Sequence, residues 1–231
     1  MKSKVLDKGF IEVVDSLGND LTVVNSARVS FGKRKKYWDK SDERLVRYLA
    51  KHKHYSPFRH LQVQFHIKAP EFVMRQWYKH VVGIETTSNS SAKDHAWNEI
   101  SGRYVEVEDY YKPLVYRQQS EDNKQASEGE IQQQQLADFV WDSTMRSVRE
   151  AYDGLLKLGV AKEQARAILP LSQYTEVYWT GSFQAIMNFI ELRNEKTSQW
   201  EIQEYAKVLL EQMKEVFPKI TELWSEAHGW V

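Results

Sequence analysis

A chain of 231 residues, 42% hydrophobic and 13% aromatic, is long enough to bury a substantial core and fits one domain spanning 1–231. Its 32 basic residues balance 32 acidic ones, so no whole-chain field directs it to nucleic acid or to an anionic membrane, and any anion site has to be local. Cysteine is absent, which excludes disulfides, thiolate metal sites and cysteine nucleophiles.

In chain order, Gly9 to Val14 and Leu21 to Val24 flank the turn signal Gly18-Asn19-Asp20 and are predicted to be paired strands. Ser41-Asp42-Glu43-Arg44 reads as a helix cap, with Leu45, Val46, Tyr48 and Leu49 at helical spacing behind it. Leu61 to Ile67 alternates apolar and polar strictly, which predicts a half-buried strand stopped by Ala69-Pro70. Phe72, Val73, Met74, Trp77, Tyr78 and Val81 then have helical spacing, with Pro70 suited to that helix's first turn. Two polar stretches, Gly83 to His95 and Gln118 to Gln135, are expected to be surface loops.

The remainder predicts a long amphipathic helix from Leu136 to Leu158 ended by Gly159, and a short one from Lys162 to Ile168 ended by Pro170. A strand from Tyr174 to Thr180 and helices over Ser182 to Leu192 and Trp200 to Val216 complete an α+β domain with several helices. No apolar run reaches bilayer-spanning length, and the charged start Met1 to Lys8 lacks the apolar stretch of a secretion signal. The expected location is therefore the cytosol.

Arginine captures phosphate bidentately, and Arg103, Arg166 and Arg193 sit where element ends would present them. Each read alone fits a surface ion pair as well. The seven histidines show no metal-ligand spacing, so no metal site is expected, and there is no P-loop, GxGxxG or GxSxG. Trp77, Tyr78, Trp97 and Tyr104 flank these polar groups, suited either to stacking on a base or flavin ring or to core packing. Pattern alone stops at an α+β protein with a nucleotide site of unassigned function.

Whole strings go further. Asn98-Glu99-Ile100-Ser101-Gly102-Arg103-Tyr104 resembles the second half of the signature of the flavin-dependent thymidylate synthases, RHR followed by N-E-x-S-x-R-Y. Asp7 to Phe10, Ala27 to Phe31, His54 to Phe58, Lys68 to Pro70, Arg75-Gln76-Trp77, Ala165-Arg166, Leu169 to Leu171, Met187 to Phe189 and Gln199-Trp200-Glu201 are similar to the family as well. The first half departs: Lys79-His80-Val81 stands for Arg-His-Arg, Ala96 occupies a serine position, and about a dozen extra residues precede Asn98.

The resemblance implies that family's fold, with an antiparallel or mixed sheet, and a homotetramer whose active sites are shared between chains. It implies reductive methylation of dUMP to dTMP, with methylenetetrahydrofolate as carbon donor and FAD reduced by NADPH as hydride source. By matching position, Gln76, Glu99, Ser101, Gly102, Arg103 and Arg166 would contact dUMP, and Arg193 would stabilise charge on the uracil ring. His54, Ser56, Lys79, His80, Ser182, Gln184, Asn188 and Thr197 would hold FAD. Because Val81 replaces an arginine, weaker FAD binding is expected. A relative that binds nucleotide but has lost productive flavin binding is the alternative. Ser101 has no adjacent base to make it a nucleophile. The other kind of thymidylate synthase needs a cysteine, which this chain lacks.

Overall fold

The computed structural model describes residues 1–80 and 96–230. Val81 and the inserted stretch Gly83 to His95 lie outside them. A five-stranded antiparallel sheet, ordered β1-β2-β3-β7-β4, organises the chain. Its strands are β1 (Lys2–Val5), β2 (Gly9–Leu17), β3 (Gln62–Pro70), β4 (Ala96–Glu99) and β7 (Tyr174–Ser182).

The alternation predicted for β3 is what packs the sheet. Val63, Phe65, Ile67 and Ala69 are fully buried on one face, while Gln62, Gln64, His66 and Lys68 point to the other. β3 pairs with β7 without a break, from Gln62 opposite Ser182 to Pro70 opposite Tyr174. The strand therefore does not stop before Ala69-Pro70. It runs through Pro70, which caps α3 (Glu71–Trp77), so strand passes into helix with no loop.

α6 (Phe183–Arg193) and α7 (Trp200–Val216) lie against the sheet, with α8 (Pro218–His228) packed on α7 and on the helix at 40–51, and Phe183, Phe189, Tyr205 and Trp224 of these helices are all buried. Trp77 stacks on Phe189 with centroids 4.4 Å apart and is 1% exposed, so it is a core residue. Gly9 lies where the β1–β2 turn passes Tyr205, whose hydroxyl donates to Lys68 O at 2.7 Å.

The predicted strand at Leu21 to Val24 is instead part of α1 (Asp20–Arg28). Asn19 caps it: its side chain accepts from Leu21 N, and its own N–H donates to the Thr22 hydroxyl, both at 3.0 Å. This reciprocal cap outweighs the β-propensity of Thr22-Val23-Val24. α2 (Lys40–Lys51) begins two residues earlier than a cap at Ser41 suggests, because Asp39 is the cap and Asp42 closes the box from inside the helix.

Gln118 to Gln135 is mostly exposed, as expected. It nevertheless contains ordered structure: β5 (Arg117–Gln119) pairs with β6 (Ser127–Glu130), and α4 (Gln134–Lys157) begins at its end. α4 ends before Gly159, whose φ of +84° suits glycine. α5 (Lys162–Ala165) and a 3-10 turn (Arg166–Ile168) follow. α6 and α7 lie where the pattern puts them. β4 and α8 were not expected. Among the described residues no helix is long and apolar enough to cross a membrane.

Candidate active site

Glu99 ends β4 opposite Val177, and Ile100 N extends the pairing by donating to Glu176 O at 2.9 Å. The chain then turns over Ser101, whose carbonyl accepts from Tyr104 N and Val105 N. That turn brings Gly102 against the 3-10 turn after α5: a β-carbon on Gly102 would stand 3.6 Å from Arg166 Cδ. Glu99, Ser101, Gly102, Arg103 and Arg166 thus line one cleft of about 770 Å³, together with Glu71 and Arg75 from α3. Five of the six residues expected to contact dUMP are brought together.

Within the cleft Glu99 accepts from the Thr175 hydroxyl at 2.7 Å, which fixes its carboxylate. The Ser101 hydroxyl accepts weakly from the N and Nε of Arg103, at 3.3 and 3.5 Å. No base adjoins it among the described residues. Burial raises the Glu71 pKa, and neighbouring Glu99 adds to the rise against the pull of Arg75 and Arg166. Glu71 belongs to no motif, and sequence reasoning missed it.

Gln76, the sixth expected contact, does not line this cleft. Its side-chain amide donates to Gln199 Oε1 at 2.5 Å and to Phe72 O at 3.4 Å.

Arg193, the last residue of α6, donates through Nε to His80 Nε2 at 2.8 Å, and the His80 ring meets Phe189 edge-on. Burial lowers the pKa of Arg193. These two expected site residues, 113 positions apart, are in direct contact.

The other expected flavin residues come from several elements of the chain. His54, Ser56, Lys79 and Thr197 are exposed and Asn188 is half-buried. Ser182 caps α6, its hydroxyl accepting from Ala185 N at 3.2 Å. Gln184 is buried and accepts from Arg59 Nε at 2.6 Å. Arg59 went unnoticed, although it directly follows the His54 to Phe58 string. The donor set fits a cofactor with a diphosphate and a polar ring: the Lys79 ammonium has no ion-pair partner among the described residues, and hydroxyl, amide and imidazole groups accompany it. Among the described residues no three His, Asp or Glu side chains come together to hold a metal.

Three arginines, Arg75, Arg103 and Arg166, line a cleft at the edge of an antiparallel sheet, and a fourth, Arg193, is held by a histidine. The family described as thymidylate synthase complementing protein matches residues 12–219. A flavin-dependent thymidylate synthase of Thermosipho melanesiensis is 42% identical over 223 residues, 94% of this chain and 91% of that one. One of Thermus thermophilus is 41% identical over 93% of this chain and 74% of its own. A crystal structure of a UMP/dUMP methylase, PolB, from Streptomyces cacaoi bound with 5-Br dUMP superposes with a TM-score of 0.82 at 28% identity, covering 97% of each chain. The chain belongs to the thymidylate synthase complementing protein family, the flavin-dependent thymidylate synthases.

Proposed function

We propose that the protein converts dUMP to dTMP by reductive methylation, taking its carbon from methylenetetrahydrofolate and acting as one domain over 1–231. FAD, reduced by NADPH, supplies the hydride when bound. The observation that carries this reading is the cleft in which Glu99, Ser101, Gly102, Arg103 and Arg166 converge. Arg103 and Arg166 bind the phosphate through charge-assisted hydrogen bonds. Glu99, held by Thr175, and the Ser101-Gly102 turn orient the nucleotide, with Gln76 as a further contact.

Arg193 stabilises negative charge on the uracil ring as N3 loses its proton, a fixed cation aimed at developing charge. His80 occupies its Nε–H and leaves the two terminal nitrogens of the guanidinium without a partner among the described residues. Ser101 acts as a binding group and not as a nucleophile, since its neighbours are the N–H groups of Arg103.

His54, Ser56, Lys79, His80, Ser182, Gln184, Asn188 and Thr197 would hold FAD, with Arg59 acting behind Gln184. The exposure of His54, Ser56, Lys79 and Thr197 supports a homotetramer whose sites are completed by neighbouring chains. So does α4, 24 residues long with only Tyr152 buried, which leaves Leu136, Phe139 and Val140 open for subunit contact. The reading places the enzyme in the cytosol, with a small-molecule substrate and neither nucleic acid nor membrane as partner.

The purified protein should be yellow, bleach with NADPH, and form dTMP from dUMP and methylenetetrahydrofolate. A colourless protein that cannot be reconstituted with FAD and yields no dTMP rejects the proposal.

A further inference from the structure

A chain of hydrogen bonds runs from α3 into the interior beside the start of α7. Glu201 is 4% exposed, and its two oxygens have different partners. Oε1 accepts from the Tyr111 hydroxyl at 3.1 Å and from Arg117 Nη2 at 2.5 Å. Oε2 accepts from Gln199 Nε2 at 2.9 Å, and Gln199 Oε1 accepts from Gln76 Nε2 at 2.5 Å.

The direction of this chain follows from chemistry. A carboxylate bonded to a guanidinium only accepts. Gln199 must therefore turn its NH2 toward Glu201 and its oxygen toward Gln76. Gln76 must in turn present its NH2 to Gln199, and its second N–H faces Phe72 O at 3.4 Å. What remains of Gln76 for a ligand is its carbonyl oxygen, which has no partner among the described residues.

We propose that Glu201, acting through Gln199, is a positioning residue that sets the polarity of Gln76. The Gln76 carbonyl oxygen then accepts a hydrogen bond from the pyrimidine N3–H of the bound nucleotide, a group that donates and cannot accept. This deepens the reading of Gln76 as a nucleotide contact and rests on it.

A single substitution should reverse the relay. In E201Q the oxygen position held by Tyr111 and Arg117, both donors, stays oxygen, so the new NH2 takes the place of Oε2. It then donates toward Gln199, which turns over, and Gln76 turns over in response, offering N–H where it offered an oxygen. In the double variant Q199E/E201Q the new carboxylate at position 199 accepts from both sides, so Gln76 keeps its original polarity. A role limited to packing would not show this rescue.

The experiment titrates the FAD-loaded protein with dUMP, dCMP and the 3′-deoxy analogue of dUMP, in the parent, E201Q and Q199E/E201Q. Neutron diffraction of the nucleotide-free protein reads the Gln76 amide directly. The dUMP affinity of E201Q should fall about tenfold, the equivalent of one hydrogen bond, and return to within about threefold in the double variant. If N3–H is the donor, E201Q narrows the gap between dUMP and dCMP. A parent that loses affinity for the 3′-deoxy analogue, with an E201Q variant that keeps its dUMP affinity, points to the sugar hydroxyl, which accepts as readily as it donates, and overturns the proposal. Affinity in E201Q within twofold of the parent, or a double variant as weak as the single one, overturns the proposal. A Gln76 oxygen facing Gln199 in the neutron map overturns it whatever the nucleotide result. A parent with that amide oriented as described, yet blind to dUMP, rejects instead the assignment of the nucleotide site.

Discussion

Arg193 donates to His80, and the 2.8 Å bond makes the histidine nitrogen an acceptor. Burial, reinforced by the adjacent guanidinium, pushes the His80 pKa down to about 4 from 6.5. The unfolded chain takes up that proton first as pH falls, so stability due to this site is lost progressively between about 6.5 and 4. Thermal unfolding followed across this range should show the loss, and His80→Gln should flatten it. An unchanged pH profile in that variant would contradict a neutral, accepting His80.

Arg193→Ala should lower the rate of dTMP formation about a hundredfold, since one donor aimed at developing charge is worth roughly 3 kcal/mol. Flavin content should change little. Single-turnover kinetics within about threefold of the parent would remove Arg193 from the reaction.

Arg103→Ala and Arg166→Ala should each weaken dUMP binding by about ten- to a hundredfold, because a hydrogen bond to a charged group contributes about 1.5 to 3 kcal/mol. Calorimetry is the check. Unchanged affinity in both variants would eliminate the phosphate clamp.

Gly9→Ala should destabilise the fold by about 1 to 3 kcal/mol through overpacking. Its β-carbon would collide with the Tyr205 hydroxyl and stand 2.7 Å from Val5 O and 2.8 Å from Lys68 O, and two of those atoms are backbone that cannot step aside. Urea titration measures the loss, and Tyr205→Phe in the same background should recover part of it.

Asp42→Ala should cost about 2 to 3 kcal/mol. The Asp42 carboxylate is fully buried and bonds Arg28 at 2.8 Å and Lys35 at 2.6 Å, and the figure stays modest because both partners reach water. A denaturation midpoint equal to the parent's would show that the α1–α2 junction does not depend on it.

Local pattern revealed what local energetics decide. The Leu61 to Ile67 alternation becomes β3, and Trp200 to Val216 becomes α7 with no shift of boundary. α1 was misread because Thr22, Val23 and Val24 favour strands, while the Asn19–Thr22 cap that overrides them was legible and passed over. β4 was hidden for another reason: its four residues gain their pairing from β7, some eighty positions away. In the site, arginines 103 and 166 stood out by their settings. Glu71 stood in no motif, and nothing in the strings around Gln76 and Gln199 announces a bond between residues 123 positions apart.

α6 is anchored at both ends: Ser182 caps it, Gln184 in its first turn meets Arg59, and Arg193 closes it against His80. Eleven residues at 1.5 Å each make it a ruler of roughly 16 Å, and the buried Phe183, Ile186, Met187, Phe189 and Ile190 forbid rotation about its axis. One inserted or deleted residue would swing Arg193 by about 100° away from His80. The length of α6 is therefore as constrained as its buried side chains, and a gap within it would part Arg193 from His80.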